Sequence, residues 1–502
     1  MFLDISSYFN KIWHAGLLHK CKQEFFISGP LLGWLASYLA NRVQRVRVPG
    51  TEIFSSPKIL GAGCPQGSVL GPLLALMYLD GLTKDMNCET LLYADDVTIL
   101  APYTRHDFDT VRQSLQNELD AIDEYGKRWA ITFNATKTLQ QTFSHKNNPE
   151  IVNLNFGGQN IPRTENHKHL GLVLSKDLRF HQHVNDILKK VNIALSPVYA
   201  ISKYMPRQLL CQIYQTYIRP LYDYCDIVYD GHLTEYDNRR LNRQQTRISR
   251  LITGTPIRTS TDKLRQELGF DSLTTRREIH RLTFFHKFIN NPDIFPSYFQ
   301  GLLPDIRLAE TQRNLRNADL LSVPNHHTVS FRRSYFPTTI RNWNTLPPNI
   351  RSQTSLALFK REIINLLGCP APSVYFLHGT KTKNTLHTRL RTDTLPLNAY
   401  LYQIQKSSTP GCPCGTQIEN TKHFILHCPL YNAVRQTLLN HLAAHNVDTR
   451  RPHTTHFLNI LTHGITLQAE QGRAVAGAVQ NFIVAALDRR NRAVSGEDGG
   501  SS

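Results

Sequence analysis

Between Leu91 and Leu100 the chain runs apolar, acidic, apolar: Leu91, Leu92 and Tyr93 lead into Asp95 and Asp96, and Val97, Thr98, Ile99 and Leu100 lead out. Two β-favouring runs interrupted by a charged pair predict a buried hairpin with an acidic tip. Upstream, Leu31–Leu39 has helical periodicity and Val43–Val48 alternates apolar with basic residues, as an edge strand does. A loop dense in glycine and proline, Gly61–Pro72, then precedes the apolar run Leu73–Leu79, predicted as a buried helix. Downstream the period becomes helical almost throughout. Val184, Ile187, Leu188, Val191 and Leu195 share one face, opposite Asn185, Asp186, Lys189 and Lys190. A second helix is predicted over Gln208–Arg219, stopped by Pro220, and a third from near Asp237 to Gly254. Thr275–Glu278 reads as a capping box for a helix through Ile289, and Ser355–Leu367 ends at Gly368. Ala474, Val475, Ala478, Val479, Phe482, Ile483 and Ala486 mark a C-terminal amphipathic helix. Strands near the start and helices after them predict an α+β protein.

Composition narrows the partners. With 57 Lys and Arg against 39 Asp and Glu, the 502-residue chain carries a formal charge of +18. Such an excess favours a polyanion, nucleic acid first. Nine mostly scattered cysteines, and a start without the basic and apolar pattern of a secretory signal, point to a reduced, intracellular protein. The apolar stretch Ala474–Leu487 contains Gln480 and Asn481 and falls short of the roughly 20 residues a membrane span needs, so no membrane partner is expected.

Three stretches occur in a fixed order: Asp4 within Leu3-Asp4-Ile5-Ser6-Ser7-Tyr8-Phe9, the loop Gly63-Cys64-Pro65-Gln66-Gly67-Ser68, and Tyr93-Ala94-Asp95-Asp96. Together they resemble the successive palm motifs of a reverse transcriptase, and their surroundings resemble the non-LTR, LINE-like (Jockey-type) branch. Trp129–Thr138 is similar to the next palm motif. His167-Lys168-His169-Leu170-Gly171 is similar to the primer-grip hairpin, with His169 where that family has Tyr, and Asn10 stands where the family has Asp. The resemblance implies RNA-directed DNA synthesis from an RNA template and a DNA primer with deoxynucleoside triphosphates, priming at nicked chromosomal DNA. It also implies a ribonucleoprotein with the element's RNA, in nucleus and cytoplasm. Fingers and an endonuclease are expected before Met1, and the three residues ahead of Asp4 are too few for a typical strand.

The chemistry of nucleotide addition suits these residues. Two Mg²⁺ ions assist attack by a 3′-hydroxyl and departure of pyrophosphate, and carboxylates are the ligands magnesium prefers. Asp4 and Asp95 are the expected bridging ligands, with Asp96 contributing. By the resemblance, Phe9 lies under the incoming sugar, and Gly63, Pro65, Gln66, Gly67 and Ser68 approach nucleotide and template. Lys137 is a candidate proton donor to the leaving group. A catalytically silent remnant that only binds nucleic acid is the competing reading.

Beyond the palm, Arg239, Arg243, Arg247 and Arg250 share a helical face and are expected to track phosphates. Arg313, Arg316, Arg332, Arg333 and Arg341 interleave with Phe331, Tyr335, Phe336 and Trp343, a mixture suited to unpaired nucleic acid, although Trp343 reads better as core. Cys412, Cys414, His423 and Cys428 have the spacing C-x-C-x8-H-x4-C, with His427 competing for the imidazole position, and fit one Zn²⁺. The cluster also resembles the cysteine-histidine motif that follows the polymerase in many non-LTR elements, and Arg389, Arg391 and Lys422 would flank it toward RNA. The expected organisation is a palm without fingers over 1–176, a helical thumb over 177–290 and a connector over 291–368. A zinc-knuckle-like module over 369–445, a C-terminal helical region over 446–490 and a disordered tail over 491–502 complete it.

Overall fold

Contacts within the chain divide it into two units, Met1–Leu178 and Arg179–Ser502. The computed structural model describes all residues except 85, 145, 147–148, 296–319, 326–327, 373–374, 376–377, 466 and 496–502. Arg313, Arg316 and most of the tail therefore lie outside the described residues. Helices with small antiparallel sheets make the protein α+β.

In the first unit the organising element is a three-stranded antiparallel sheet. Its order is β1 (Phe2–Leu3), β5 (Asp96–Leu100), β4 (Glu89–Tyr93), so β5 is central. The register pairs Leu3 with Val97 on one side of β5 and Leu92 with Val97 on the other. Short as it is, β1 is held on both edges: Phe2 also bridges Leu139, and Ile5 bridges Phe133. The expected buried hairpin is half right. Val97, Thr98 and Ile99 of β5 are buried, whereas Leu91, Leu92 and Tyr93 of β4 are exposed, because β4 is an edge strand and only the middle strand is covered from both sides.

Around this sheet pack α1 (Tyr8–Lys11), α2 (His14–Gln23), α3 (Gly29–Leu39), α4 (Leu70–Leu79) and α5 (Phe108–Arg128). The ribbon of β2 (Arg42–Gln44) with β3 (Lys58–Leu60) is solvent-exposed. The predicted buried helix, α4, buries only one face: Leu74, Ala75, Tyr78 and Leu79 lie inside and Leu73 and Leu76 outside. The ribbon of β6 (Asn155–Phe156) with β7 (Gln159–Asn160) and the hairpin of β8 (Asn166–His169) with β9 (Leu172–Ser175) close the unit.

The second unit is helical. α6 (His181–Ile201) buries Val184, Ile187, Val191 and Leu195 as the period predicts. The helix expected to stop at Pro220 does not. α7 (Arg207–Ile213) passes into a π-helical turn, Tyr214–Ile218, and α8 (Arg219–Asp223) continues through the proline. The wider turn lets Arg219 N–H bond to Tyr214 O, and Pro220 falls in the first turn of α8, where a missing N–H costs little. After α9 (Asp226–Tyr229) comes α10 (Glu235–Thr253), capped by Thr234 and ended by Gly254 in the left-handed region. α11 (Thr261–Leu268) precedes α12 (Leu273–Asn290), whose N-cap is Ser272 rather than the Thr275 box: Ser272 Oγ accepts Thr275 N–H at 2.9 Å, and Glu278 accepts from Asn342 instead. Trp343 belongs to the core, 5.3 Å from the Phe359 ring, while Phe331 is exposed.

Candidate active site and metal-ligating clusters

The acidic tip is positioned by strand register. Antiparallel pairing of Leu3 with Val97 brings the next residues, Asp4 and Asp96, to the same end of the sheet. Tyr93 pairs with Asp96, so Ala94 and Asp95 form a two-residue turn, with Ala94 at φ +55 in the left-handed region that alanine disfavours. Asp96 sits above its ordinary carboxylate value, first through burial and then through Asp95, with Asp4 adding and His169 opposing. Asp4 is fixed from the far edge, where its carbonyl accepts Asn134 N–H at 2.8 Å. Lys137 Nζ stands 3.8 Å from Asp4 Oδ2, both groups reaching solvent. Lys137 is placed by an Asx turn in which Asn134 Oδ1 accepts the Thr136 N–H at 3.1 Å. The β8–β9 hairpin leans on the same strand, with the His167 and His169 rings 4.0 and 5.1 Å from that of Phe2.

The Gly63–Ser68 loop is clamped onto α1. Gly63 N–H donates to Ile12 O at 2.8 Å and Cys64 N–H to Phe9 O at 2.9 Å. At Gly63, φ +90, an added Cβ would stand 2.8 Å from Phe9 O and 2.9 Å from Asn10 O, so only glycine fits. Gln66 Nε2 donates to Asn10 Oδ1 at 2.9 Å, and His14 Nε2 lies 2.8 Å from Gly63 O. Ser68 Oγ donates to Pro65 O and accepts Gly71 N–H, fastening the loop to the start of α4 beyond Gly67. Phe9 is half-buried against the core, edge-on to Tyr8 at 5.6 Å. Sequence reasoning missed His14 and Asn10 as clamps. They act across 49 and 56 residues, a distance at which no local pattern gives a signal.

The Cys/His group is the tighter cluster. One donor atom from each of Cys412, Cys414, His423 and Cys428 lies within 4.8 Å of the others. The three carboxylates Asp4, Asp95 and Asp96 are not among the described clusters drawn that close. Cys412 and Cys428 sulfurs are 3.6 Å apart, and Cys414 Sγ is 3.3 Å from His423 Nε2. His423 Nδ1 meets Gln417 Oε1 at 3.2 Å, which leaves Nε2 to face the sulfurs. Burial raises the Cys412 and Cys428 thiols. It would also raise Cys414, but hydrogen bonds from Thr416, Cys412 and His423 bring that thiol down to about 6. His427 is exposed and stacks on His453 at 5.3 Å, away from the cluster, so geometry selects His423. Glu419 is wholly buried and takes Arg490 of the C-terminal helix through two bonds, at 2.7 and 2.8 Å.

Two expected RNA contacts are otherwise engaged. Arg391 is buried against Glu267, with Nε to Oε2 at 2.8 Å, and Arg389 donates to Gly254 O at 2.8 Å, because α11 and the α10 terminus pack against their helix. Lys422 remains exposed. On α10, Arg239, Arg243 and Arg247 are exposed, whereas Arg250 is half-buried and donates to Thr259 O at 3.3 Å.

Residues 1–174 match the family described as reverse transcriptase (RNA-dependent DNA polymerase). Among its relatives, the Drosophila melanogaster protein named "Probable RNA-directed DNA polymerase from transposon BS" is 28% identical over 56% of this chain and 32% of its own length. The "Probable RNA-directed DNA polymerase from transposon X-element" of the same organism is 30% identical over 51% of this chain and 28% of its own. The "Retrovirus-related Pol polyprotein from type-1 retrotransposable element R1" of Bradysia coprophila is 26% identical over 80% of this chain and 37% of its own. That alignment, 419 residues, exceeds the first unit, so likeness extends into the second. The chain spans about a third of the length of these relatives.

Proposed function

We propose that this chain carries the palm and thumb of an RNA-directed DNA polymerase of a non-LTR retrotransposon. The observation that carries the reading is the convergence of Asp4 with Asp95 and Asp96 at one end of the sheet inside the region matched to the family. The first unit is then the palm and the helices after Arg179 the thumb. Burial first, and then the neighbouring Asp95 and Asp4 charges, raise Asp96; a divalent cation would relieve that charge density, so the all-carboxylate donor set fits Mg²⁺. Two Mg²⁺ ions held by Asp4 and Asp95, with Asp96 contributing, would make the primer 3′-hydroxyl nucleophilic and neutralise the departing pyrophosphate.

Around them the chain's own residues orient the reactants. The 3′-hydroxyl gives its proton to water as its oxygen bonds to the α-phosphorus of the deoxynucleotide and the bond to pyrophosphate breaks, and Lys137 donates a proton to the leaving oxygen. Phe9 lies beneath the sugar, and Gly63, Pro65, Gln66, Gly67 and Ser68 bring backbone close to nucleotide and template. Arg239, Arg243 and Arg247 hold nucleic-acid phosphates. Cys412, Cys414, His423 and Cys428, with one thiol already brought down to about 6 and an oriented imidazole, fit a structural Zn²⁺. Among the described residues no helix is long and apolar enough to cross a membrane. The assembly this function implies is a ribonucleoprotein with the element's RNA, in nucleus and cytoplasm.

Primer extension on an RNA template by the purified chain with Mg²⁺, beside Asp95→Ala, tests the reading. Extension by the wild type alone is expected. Equal extension by both proteins, or none by either, overturns it, and retained RNA binding without extension would assign the chain to nucleic-acid binding only.

A further inference from the structure

We infer that the exposed face of α10 binds single-stranded nucleic acid, with Tyr236 as a stacking platform for an unpaired base and Arg239, Arg243 and Arg247 along its phosphates. This deepens the nucleic-acid contact proposed above and rests on it. Tyr236 stands three, seven and eleven residues before those arginines, so all four share one helical face. The arginines follow one another at four-residue steps, about 6 Å along the axis. They are exposed, and among the described residues no carboxylate pairs with them.

Tyr236 is 57% exposed, and its ring has named supports. The His181 ring lies alongside at 6.3 Å and 25°, and the Arg240 guanidinium is 5.3 Å from the tyrosine ring centre. Both supports are anchored on one wholly buried carboxylate: Asp237 meets His181 Nδ1 at 3.0 Å, Arg240 Nη1 at 3.1 Å and the Thr234 hydroxyl at 2.8 Å. Arg240 Nη2 reaches across to Asn185 on α6 at 2.7 Å. Asp237 is thus surrounded by donors and its charge is balanced internally. Of the nearby acids, Asp186 is paired with Lys190 at 2.7 Å, which leaves Glu235 at the helix start.

An aromatic face already held in place loses little conformational freedom when a base stacks on it. A base offers its π-face only where it is unpaired and unstacked, whereas a duplex offers phosphates to the arginines and nothing to the tyrosine. The pairing of a rigid exposed ring with unpaired guanidiniums therefore selects a single strand.

The test is equilibrium binding of the full chain to a uridine oligomer, to the same length containing abasic sites, and to a length-matched RNA duplex, across salt concentrations. Tyr236→Ala and Tyr236→Leu are expected to lose about ten-fold in affinity for the oligomer, with the salt slope unchanged, while Tyr236→Phe retains it. Arg243→Ala with Arg247→Ala should flatten the slope by about one to two units. On the abasic oligomer the tyrosine variants should match the wild type. Wild-type affinity in Tyr236→Leu, an equal loss in Tyr236→Phe, or duplex bound as tightly as the single strand overturns the inference. Because binding is measured without nucleotide addition, a chain that shows this pattern but extends no primer overturns the polymerase reading and leaves this one standing.

Discussion

The carboxylate tip and the Cys/His turn gather their candidate ligand side chains in opposite ways. Asp4 and Asp95–Asp96 lie far apart in sequence and meet only because β1 pairs with β5 in one register. The cysteines and His423 lie within a short stretch where a tight turn, with Gly415 N–H on Cys412 O at 2.9 Å, and a π-turn, with Cys428 N–H on His423 O at 2.8 Å, bring them together. The first set faces solvent and crowds like charges; the second is mostly buried, and Gln417 orients its imidazole. On the proposed reading the open, like-charged group would handle a charged substrate and the closed, locally satisfied one would serve structure.

Buried charge is satisfied in two ways: by a carboxylate, or by neutral oxygens, as for Arg207 with Asn384 and Thr388 and for Arg435 with the Ile425 and Cys428 carbonyls. In the second unit Arg391 is matched by Glu267 and Arg490 by Glu419. In the first, Lys20 is wholly buried against neutral partners, donating to Asp80 O and to the Tyr125 hydroxyl at 2.6 Å and lying over the Trp129 ring at 4.4 Å. Its nearest carboxylate, Glu24, is 4.0 Å away. Burial brings its amine down to about 8.

The largest effect expected from this contrast is on the cluster. Cys412→Ser should remove stoichiometric zinc and lower the stability of the second unit by several kcal/mol, since binding free energy at a structural zinc site is folding free energy. Metal analysis with chelator titration reads both, and an unchanged melting profile in a zinc-free protein would break the contrast.

A smaller effect concerns pH. Folded Lys20 titrates near 8 and the unfolded side chain near 10.5, so between those values the unfolded state binds more protons and stability rises with pH. Urea melts followed by tryptophan emission, to which Trp13, Trp34 and Trp129 of the first unit contribute, should show stability gained between about pH 8 and about pH 10.5, and Lys20→Met should flatten that gain. Parallel curves would remove Lys20 as its source.

The smallest effect has the opposite sign from the first. Asp95→Asn relieves like-charge crowding around Asp96 and should stabilise the first unit by a few tenths of a kcal/mol, a small gain because both groups are partly solvated. Thermal melts of wild type and variant measure it, and destabilisation would show that Asp95 supports the fold.

What the amino-acid sequence determined by itself was whatever depends on near neighbours: the β4–β5 hairpin around Asp95 and Asp96, the apolar face of α6, the Gly254 stop, and the Cys412–Cys428 spacing. Helical and strand periods and turn residues act over a few positions and are visible as text. Tertiary structure alone decided that β4 is an edge and β5 central, that Pro220 lies within a continuing helix, and that Arg391 points inward to Glu267 rather than outward to RNA. It also decided that His14 and Asn10 clamp the Gly63 loop, that His423 and not His427 joins the sulfurs, and that Tyr236 stands rigid beside exposed arginines. Each of these depends on which distant segment supplies the partner hydrogen bond, charge or covering surface, and such pairings are energetic choices of the whole chain rather than properties of a stretch of it.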